Sequence, residues 1–209
     1  MEKVTIALAK GRLAEKTIAL FEQAGLDVAG LRDESRKLVL ENDMFSVLMV
    51  KPTDVPVYVE HGVADLGVCG KDTLLESNAN LYEMMDLKFG ACKLCLAGWP
   101  GTDPHRSGIK VATKYEHFAR QYFRGRGESI EIIHLSGSVE LGPIAGLSDI
   151  ILDIVESGRT LRENGLTVLE EIVPVSARLC VNRVSLKVKA VQVQMILEKL
   201  RRAMEETNA

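Results

Sequence analysis

Short hydrophobic runs alternate along the chain with segments whose hydrophobic residues recur every three or four positions. The short runs are typical of buried strands, and the longer period is typical of amphipathic helices. Strands are predicted at residues 4–9, 38–40, 46–50, 64–68, 82–87, 91–97, 110–113, 130–134, 149–155, 166–175 and 177–181. Helices are predicted at residues 11–24, 52–60, 71–77, 116–124, 139–145, 159–164 and 188–204. This alternation predicts an α/β fold with mostly parallel sheets, flanking helices and ligands at the carboxyl ends of strands.

A polar segment at residues 98–108 interrupts the alternation, after which the pattern begins again. The last helix carries one apolar face, formed by Val191, Met195, Ile196 and Leu200, with which it can return to the first set of strands. We therefore predict two α/β lobes with a cleft between them. The first is discontinuous and comprises residues 1–92 and 180–209, and the second comprises residues 93–179.

Charge and hydropathy exclude several classes of protein. The 209 residues include 26 Lys and Arg against 29 Asp and Glu, so the formal net charge is −3. This balance argues against a strongly basic nucleic-acid-binding protein. No run of about 18 apolar residues is present, so no membrane span is predicted. The first eight residues lack the features of a signal peptide, and a cytoplasmic location is expected.

Two of the four cysteines, Cys92 and Cys95, form a CxxC pair inside a hydrophobic run. A zinc or redox site is one interpretation of such a pair. No second CxxC or HxxxH motif accompanies it, so ordinary strand thiols in a reducing compartment are the favoured interpretation.

The most informative turn follows the predicted strand at residues 149–155. Asp153 lies near the carboxyl end of that strand. The chain then enters a helix through Ser157, Gly158, Arg159 and Thr160. Ser157 can cap the helix, Gly158 allows close approach of a ligand, and free N–H groups with two hydroxyls and a cation suit a phosphate monoester. Asp153 can accept hydrogen bonds from sugar hydroxyls. The alternative is a capped surface helix with Asp153 bonded to a neighbouring loop.

Two further turns have the same strand-to-helix form. Lys10 and Arg12 flank Gly11 at a helix start, where two cations are unfavourable unless an anion joins them. The turn that ends at Gly70 offers backbone that can line a cleft. A solvated pair of charges and a plain tight turn are the respective alternatives. Because turns at the carboxyl ends of parallel strands can face one crevice, the three together indicate a site more strongly than any one alone.

Residues 140–161 resemble the signature of the ATP phosphoribosyltransferase family. The matching positions are Glu140, Gly146, Ser148, Ile151, Asp153, Ser157, Gly158, Thr160 and Leu161. Residues 9–13 resemble the opening of that family, and residues 54–70 resemble its D-x-P-x-x-V-x-x-G-x-x-D-x-G-x-x-G segment. The resemblance covers essentially the whole chain.

The resemblance implies transfer of the phosphoribosyl group of PRPP to N1 of the adenine of ATP, the first step of histidine biosynthesis, on a fold like that of type II periplasmic binding proteins. It implies Mg²⁺ as a cofactor. The implied PRPP-binding residues are Glu140, Asp153, Ser157, Gly158, Arg159 and Thr160, and the implied ATP-binding residues are Lys10, Gly11, Arg12 and Gly70. The implied catalytic residues are Lys10, Arg12, Arg36 and Asp153.

The chain resembles the short form of the family, which lacks a C-terminal regulatory domain. The resemblance then implies a separate regulatory subunit related to histidyl-tRNA synthetase, in a homodimer or hetero-oligomer. Two other classes share the predicted fold. A non-catalytic cytosolic ligand-binding module is disfavoured by the paired turns at residues 10–12 and 157–160, and a ligand-sensing regulator by the lack of a helix-turn-helix pattern.

Overall fold

The chain divides into two compact α/β units in a computed structural model that describes residues 3–31 and 37–207. The first unit comprises residues 1–90 and 176–209, and the second comprises residues 91–175. The predicted boundaries fall two and four residues later, and the second of them would divide the strand Ala177–Val181, which pairs wholly within the first unit. Arg36 lies outside the described residues.

The first unit is a six-stranded sheet with helices. Its strands are β1 (Val4–Ala9), β2 (Val39–Glu41), β3 (Phe45–Val50), β4 (Leu66–Gly70), β5 (Tyr82–Asp86) and β11 (Ala177–Val181). Its helices are α1 (Arg12–Gln23), α2 (Val55–Glu60) after a 3-10 turn at Pro52–Asp54, α3 (Lys71–Ser77), α7 (Ser185–Val188) and α8 (Ala190–Thr207). The strand order is β2-β3-β1-β4-β11-β5, with β1 parallel to β3 and β4 and the remaining pairs antiparallel.

Helix α8 packs on the core of the first unit through a face that differs from the predicted one. Ile196 and Leu200 are buried as predicted, but Val191 is 76% exposed, so its assignment to this face was wrong. The buried stripe instead begins at Val193, because Val193, Ile196 and Leu200 follow the helical period of i, i+3 and i+7.

The buried carboxylate of Asp65 joins three elements of the first unit. It accepts hydrogen bonds from the Thr5 N–H at 2.8 Å, the Ser185 hydroxyl at 2.7 Å and the Lys189 ammonium at 2.8 Å. These donors lie on β1, on α7 and just before α8. The network therefore ties the returning C-terminal segment to the middle of the sheet.

The second unit is a five-stranded sheet with three helices. Its strands are β6 (Cys92–Gly98), β7 (Ile109–Thr113), β8 (Ile130–His134), β9 (Ile150–Val155) and β10 (Thr167–Val175). Its helices are α4 (Glu116–Gly125), α5 (Leu141–Ile144) and α6 (Arg159–Glu163). The strand order is β10-β6-β9-β7-β8, with β7 parallel to β8 and β9, and with β6 antiparallel to β9 and β10.

Both sheets are mixed, so the prediction of mostly parallel sheets holds only for β1, β3 and β4 and for β7, β8 and β9. The antiparallel strands β6 and β10 are the first and last strands of the second unit, at the points where the chain enters and leaves it. In the part of the chain that the structure describes, no helix is both long enough and apolar enough to cross a membrane.

A polar cluster joins β10 to the loop before β7 and to α4. His105 contacts Glu128 through Nδ1 at 2.9 Å and Glu170 through Nε2 at 2.6 Å, and the Tyr122 hydroxyl donates to Glu170 at 2.6 Å. The hydrogen bond with Glu128 raises the pKa of His105 above its usual value, although burial opposes it. Burial would raise the pKa of Glu170, but the bonds from Tyr122 and His105 lower it overall. Both shifts favour the charged forms of His105 and Glu170, so the cluster joins β10 to the loop before β7 and to α4 through charged hydrogen bonds.

Candidate functional site

The turn from β9 into α6 places residues 157–160, here called the 157–160 loop, immediately after the strand. Gly158 occupies the N-cap position with φ 66°, a left-handed conformation that strongly favours glycine. The predicted capping role of Ser157 was wrong by one position, because Gly158 rather than Ser157 is the N-cap residue. The Ser157 hydroxyl instead accepts a long hydrogen bond of 3.4 Å from the Arg159 N–H.

Two arginines of α6 act in different ways on this loop. Arg162 donates from Nη1 to the Ser157 carbonyl at 2.9 Å and so holds the backbone of the loop to α6. Arg159, the predicted phosphate ligand, is 79% exposed and donates from Nε to Glu163 at 2.7 Å. Arg162 was not predicted from the sequence, where its one signal is its spacing four residues after Gly158.

Asp153 lies on β9 two residues before the strand ends. Its side chain is 20% exposed, and its Oδ1 lies 3.9 Å from the Lys114 ammonium, which follows the carboxyl end of β7. The Thr113 hydroxyl donates to the Leu152 carbonyl at 2.7 Å and holds β7 against β9 at this level. Asp153 is thus a partly buried carboxylate at the carboxyl ends of two parallel strands, as the sequence predicted. Lys114 was missed.

The sheet register identifies which side chains share a face with Asp153. Asp153 is directly opposite Cys95 of β6, which is directly opposite Glu171 of β10. Lys93 of β6 is directly opposite Val155 of β9. Residues opposite one another, and residues two apart on one strand, lie on the same face of a sheet. The face that carries Asp153 therefore also carries Lys93 and Glu171.

The same register decides between the two interpretations of the CxxC pair. Cys92 and Cys95 are three apart on β6, so their side chains point to opposite faces of the sheet. Burial raises the pKa of Cys95 to about 11, which keeps it a neutral thiol. Among residues 3–31 and 37–207, no three His, Cys, Asp or Glu side chains are grouped to hold a metal ion. Because the two thiols point to opposite faces of β6, they cannot bind one metal ion together, which favours the interpretation as strand thiols.

Part of the signature segment serves packing. Glu140 precedes the short helix α5 as a partly exposed residue. Within α5, a Cβ at Gly142 would lie 2.5 Å from the Ser148 Oγ and 2.9 Å from the Ala112 Cβ, so only glycine fits against β7 there. Ser148, one of the matched positions, is buried at this contact. The signature therefore joins packing positions to the chemical ones at 153–160.

Lys10, Gly11 and Arg12 lie at the start of α1 in the first unit. The Lys10 N–H donates to the Val50 carbonyl at 3.0 Å, which extends the β1–β3 pairing to the beginning of the turn. Gly11 has φ 90° and is the N-cap residue of α1. Lys10 and Arg12 are exposed. Two cations therefore stand at a helix N-terminus, the arrangement that the sequence indicated for an anion.

The turn at Gly70 is more closed than predicted. Gly70 is the N-cap residue of α3, and a Cβ there would collide with the carboxylate of Asp72. The start of α3 thus already has an anionic side chain against it, which disfavours a phosphate at this position. Gly67, in the same segment, is a packing glycine, since a Cβ would lie 2.6 Å from Val59 Cγ2 and 2.8 Å from Val55 Cγ1.

Comparison with known protein families gives one match over most of the chain. The family model described as ATP phosphoribosyltransferase matches residues 51–202. A protein named ATP phosphoribosyltransferase from Caldanaerobacter subterraneus subsp. tengcongensis is 54% identical over 204 residues, covering 96% of this chain and 97% of that protein.

Two solved structures are similar to this chain in fold. A chain of the ATP phosphoribosyl transferase (HisG:HisZ) complex from Thermotoga maritima has a TM-score of 0.86 and 38% identity, covering 97% of this chain and 99% of that one. The periplasmic aliphatic sulphonate binding protein SsuA from Escherichia coli has a TM-score of 0.60 and 15% identity, covering 100% of this chain and 70% of that one. The second likeness concerns the fold alone and confirms the predicted class, a two-lobed α/β fold like that of periplasmic binding proteins.

Proposed function

The chain belongs to the ATP phosphoribosyltransferase family, and from this premise we propose which of its residues bind the two substrates. The enzyme transfers the phosphoribosyl group of PRPP to N1 of the adenine of ATP and releases pyrophosphate, the first step of histidine biosynthesis. Family membership sets aside the alternative of a non-catalytic binding module. The observation that carries the site assignment is the 157–160 loop, which follows Asp153 at the carboxyl end of β9.

We propose that the second unit binds PRPP. The 157–160 loop offers the Ser157 and Thr160 hydroxyls and backbone N–H groups to the 5-phosphate, and Gly158 lets the phosphate approach the backbone. Asp153 accepts hydrogen bonds from the ribose hydroxyls, and Glu140 is a further acceptor for the sugar. Arg159 can turn from Glu163 to the phosphate at little cost, because exposed i,i+4 ion pairs contribute only about 0.3–0.5 kcal/mol.

The first unit supplies the proposed contacts with ATP. Lys10 and Arg12, on either side of Gly11, are placed to bind phosphate groups at the start of α1. Gly70 has a carboxylate beside it, so we assign it to the uncharged part of ATP. Arg36 lies outside the described residues and is kept as a proposed catalytic cation on the resemblance alone.

The chemistry requires positioning and charge stabilisation. The bond between ribose C1 and the pyrophosphate oxygen breaks with oxocarbenium character at C1, and adenine N1 attacks as a weak nucleophile. Orientation of N1 towards C1 therefore matters more than a strong base. The Asp153 carboxylate holds the ribose near the developing positive charge, and Lys and Arg side chains stabilise the negative charge on the departing pyrophosphate.

We propose that Mg²⁺ takes part as a complex with PRPP. No group of three possible ligands is present in residues 3–31 and 37–207, while Asp153 provides a carboxylate where the ribose is proposed to bind. Mg²⁺ is commonly held by one or two carboxylates together with substrate phosphates, which fits this donor set. When bound, the ion neutralises charge on the pyrophosphate.

We also propose that the enzyme acts in the cytoplasm, where ATP and PRPP are found, and assembles with a regulatory subunit related to histidyl-tRNA synthetase. The support for a partner is the extent of the likeness to the Thermotoga maritima chain, which was solved in a HisG:HisZ complex and is 99% covered by this one. In such an assembly, histidine acts through the partner.

Histidine sensitivity is therefore expected to depend on the partner. The purified chain alone should show modest turnover of ATP and PRPP with Mg²⁺, unchanged by histidine. Addition of the regulatory subunit should raise turnover and make it sensitive to histidine. Pyrophosphate release and the absorbance of phosphoribosyl-ATP measure both states. Strong inhibition of the isolated chain by histidine would contradict the proposal that histidine acts through the regulatory subunit.

Replacement of Thr160 by alanine tests the phosphate loop. We expect kcat/KM for PRPP to fall by about tenfold or more, because a hydrogen bond to a charged group contributes about 1.5–3 kcal/mol. Initial rates at varied PRPP give the value, with ATP saturating. Thr167→Ala is the matched control, since Thr167 is an exposed threonine of β10 in the same unit. Equal kinetics of the two variants would remove Thr160 from the site.

A further inference from the structure

One lysine outside the signature lies on β6, the strand next to the one that leads into the 157–160 loop. Lys93 of β6 is directly opposite Val155 of β9, so their Cβ atoms are about 5 Å apart on one face of the sheet. The Val155 Cγ1 lies 3.7 Å from where a Cβ would be placed at Gly158. Val155 therefore lies between Lys93 and Gly158, the glycine at which the phosphate is proposed to approach the backbone.

The partner of Lys93 in this state is Glu171 on β10. The Lys93 ammonium donates to both carboxylate oxygens, at 2.6 and 2.7 Å. The two side chains are 51% and 57% exposed. Exposed pairs of this kind contribute little to stability, so the fold does not require the pair to stay closed. The lysine is therefore a cation that can leave its carboxylate at little cost.

The loop itself is short of positive charge. A phosphate monoester carries roughly −1.5 to −2 at neutral pH. Helix α6 has five residues, and its first cation, Arg159, is bonded to Glu163. Arg162 already donates to the Ser157 carbonyl. Once it turns from Glu163, Arg159 supplies a single positive charge, so a dianion at Gly158 can bind a second cation from another element. Lys93 is directly opposite the end of β9.

We propose that Lys93 is a further PRPP-binding residue, which exchanges Glu171 for the 5-phosphate when the substrate binds. This inference rests on the proposed binding of that phosphate by the 157–160 loop. Glu171 then acts as a competing anion on the same sheet face as Asp153. In the absence of PRPP, it keeps Lys93 neutralised, and it opposes binding of the phosphate.

Kinetics of Lys93 and Glu171 variants test this exchange. Lys93→Met should raise KM for PRPP by about tenfold, with KM for ATP nearly unchanged, because one charge-assisted contact to phosphate is lost. Lys93→Arg should restore most of the affinity. Glu171→Gln should lower KM for PRPP by about twofold, a gain that a merely structural role of the pair would not produce.

Lys110→Met is the matched control. Lys110 also forms an exposed cross-strand pair, with Glu131 at 3.7 Å, and the two side chains are 50% and 61% exposed. It lies near the amino end of β7, away from the loop. Its replacement should leave KM for PRPP unchanged. The Thr160→Ala variant is measured in the same series and reports on the loop itself.

The outcomes separate the two proposals. A higher KM for PRPP in Lys93→Met, restored by arginine and absent in Lys110→Met, supports the exchange. If Lys93→Met behaves like Lys110→Met while Thr160→Ala is impaired, the role of Lys93 is overturned and the loop assignment stands. If none of these variants changes the kinetics with PRPP, the loop assignment fails and the Lys93 inference fails with it.

Discussion

Replacement of Asp153 by asparagine is expected to lower kcat/KM for PRPP by about 100- to 1,000-fold. The side chain keeps its shape and its position on β9, but it loses the negative charge that faces the ribose as positive charge develops at C1. Contributions of this size are typical when one preorganised electrostatic contact to a transition state is removed. Steady-state rates at varied PRPP, with ATP and Mg²⁺ saturating, give the value.

A matched carboxylate controls for general effects of the substitution. Asp149 precedes the amino end of β9, where it forms an ion pair with Arg106 and accepts the Lys110 N–H at 2.8 Å. Asp149→Asn should therefore alter stability while changing kcat/KM by no more than about twofold. Thermal unfolding of both variants shows whether the fold is intact. Kinetics of Asp153→Asn that match the wild type would remove Asp153 from the catalytic machinery.

The local pattern predicts most of the elements because their hydrophobic periods are unambiguous. The predicted strands at residues 4–9, 130–134 and 177–181 and the predicted helix at 71–77 have the observed bounds. The pattern fails where tertiary packing chooses between neighbouring residues. On α8, Val191 and Val193 are both apolar, and only the packing against the core leaves Val191 exposed and buries Val193.

The candidate site divides in the same way. The 157–160 loop and Asp153 are visible in sequence because they are contiguous and carry their own chemistry. Lys93 and Glu171 are 78 positions apart and meet only through the antiparallel pairing of β6 with β10, which alternation of strands and helices did not predict. Lys114 reaches Asp153 through the register of β7 and β9. Contacts of this kind follow from strand order, which the sequence pattern alone leaves open.

Family motifs mix residues that make the fold with residues that bind substrate, and the structure separates them. A Cβ at Gly67 would collide with Val59, and a Cβ at Gly142 would collide with Ser148. Close packing therefore explains why these two positions are glycines. Asp65 belongs to this group although it is a carboxylate, because its three donors are all supplied by the protein. Asp153 differs in its position, since it lies two residues before the carboxyl end of β9, the edge of a parallel sheet at which ligands bind in α/β folds.

Replacement of Asp65 by alanine is accordingly expected to lower the free energy of unfolding by about 3–5 kcal/mol, the usual cost of removing one partner of a buried ion pair. Asp65 is 5% exposed, and the ammonium of Lys189 that it binds belongs to a side chain only 14% exposed. The substitution also removes the acceptor of the Thr5 N–H and of the Ser185 hydroxyl. Urea denaturation followed by circular dichroism measures the loss.

Glu131→Ala is the control for this stability change, because it breaks the exposed pair with Lys110 and should cost less than about 1 kcal/mol. Activity assayed well below the unfolding transition distinguishes a structural role from a chemical one. The folded fraction of Asp65→Ala should keep kcat/KM within about threefold of the wild type, since every contact of this carboxylate is internal. Wild-type stability combined with a large loss of turnover would instead place Asp65 in the chemistry, and the assignment of the motif to the fold would be wrong.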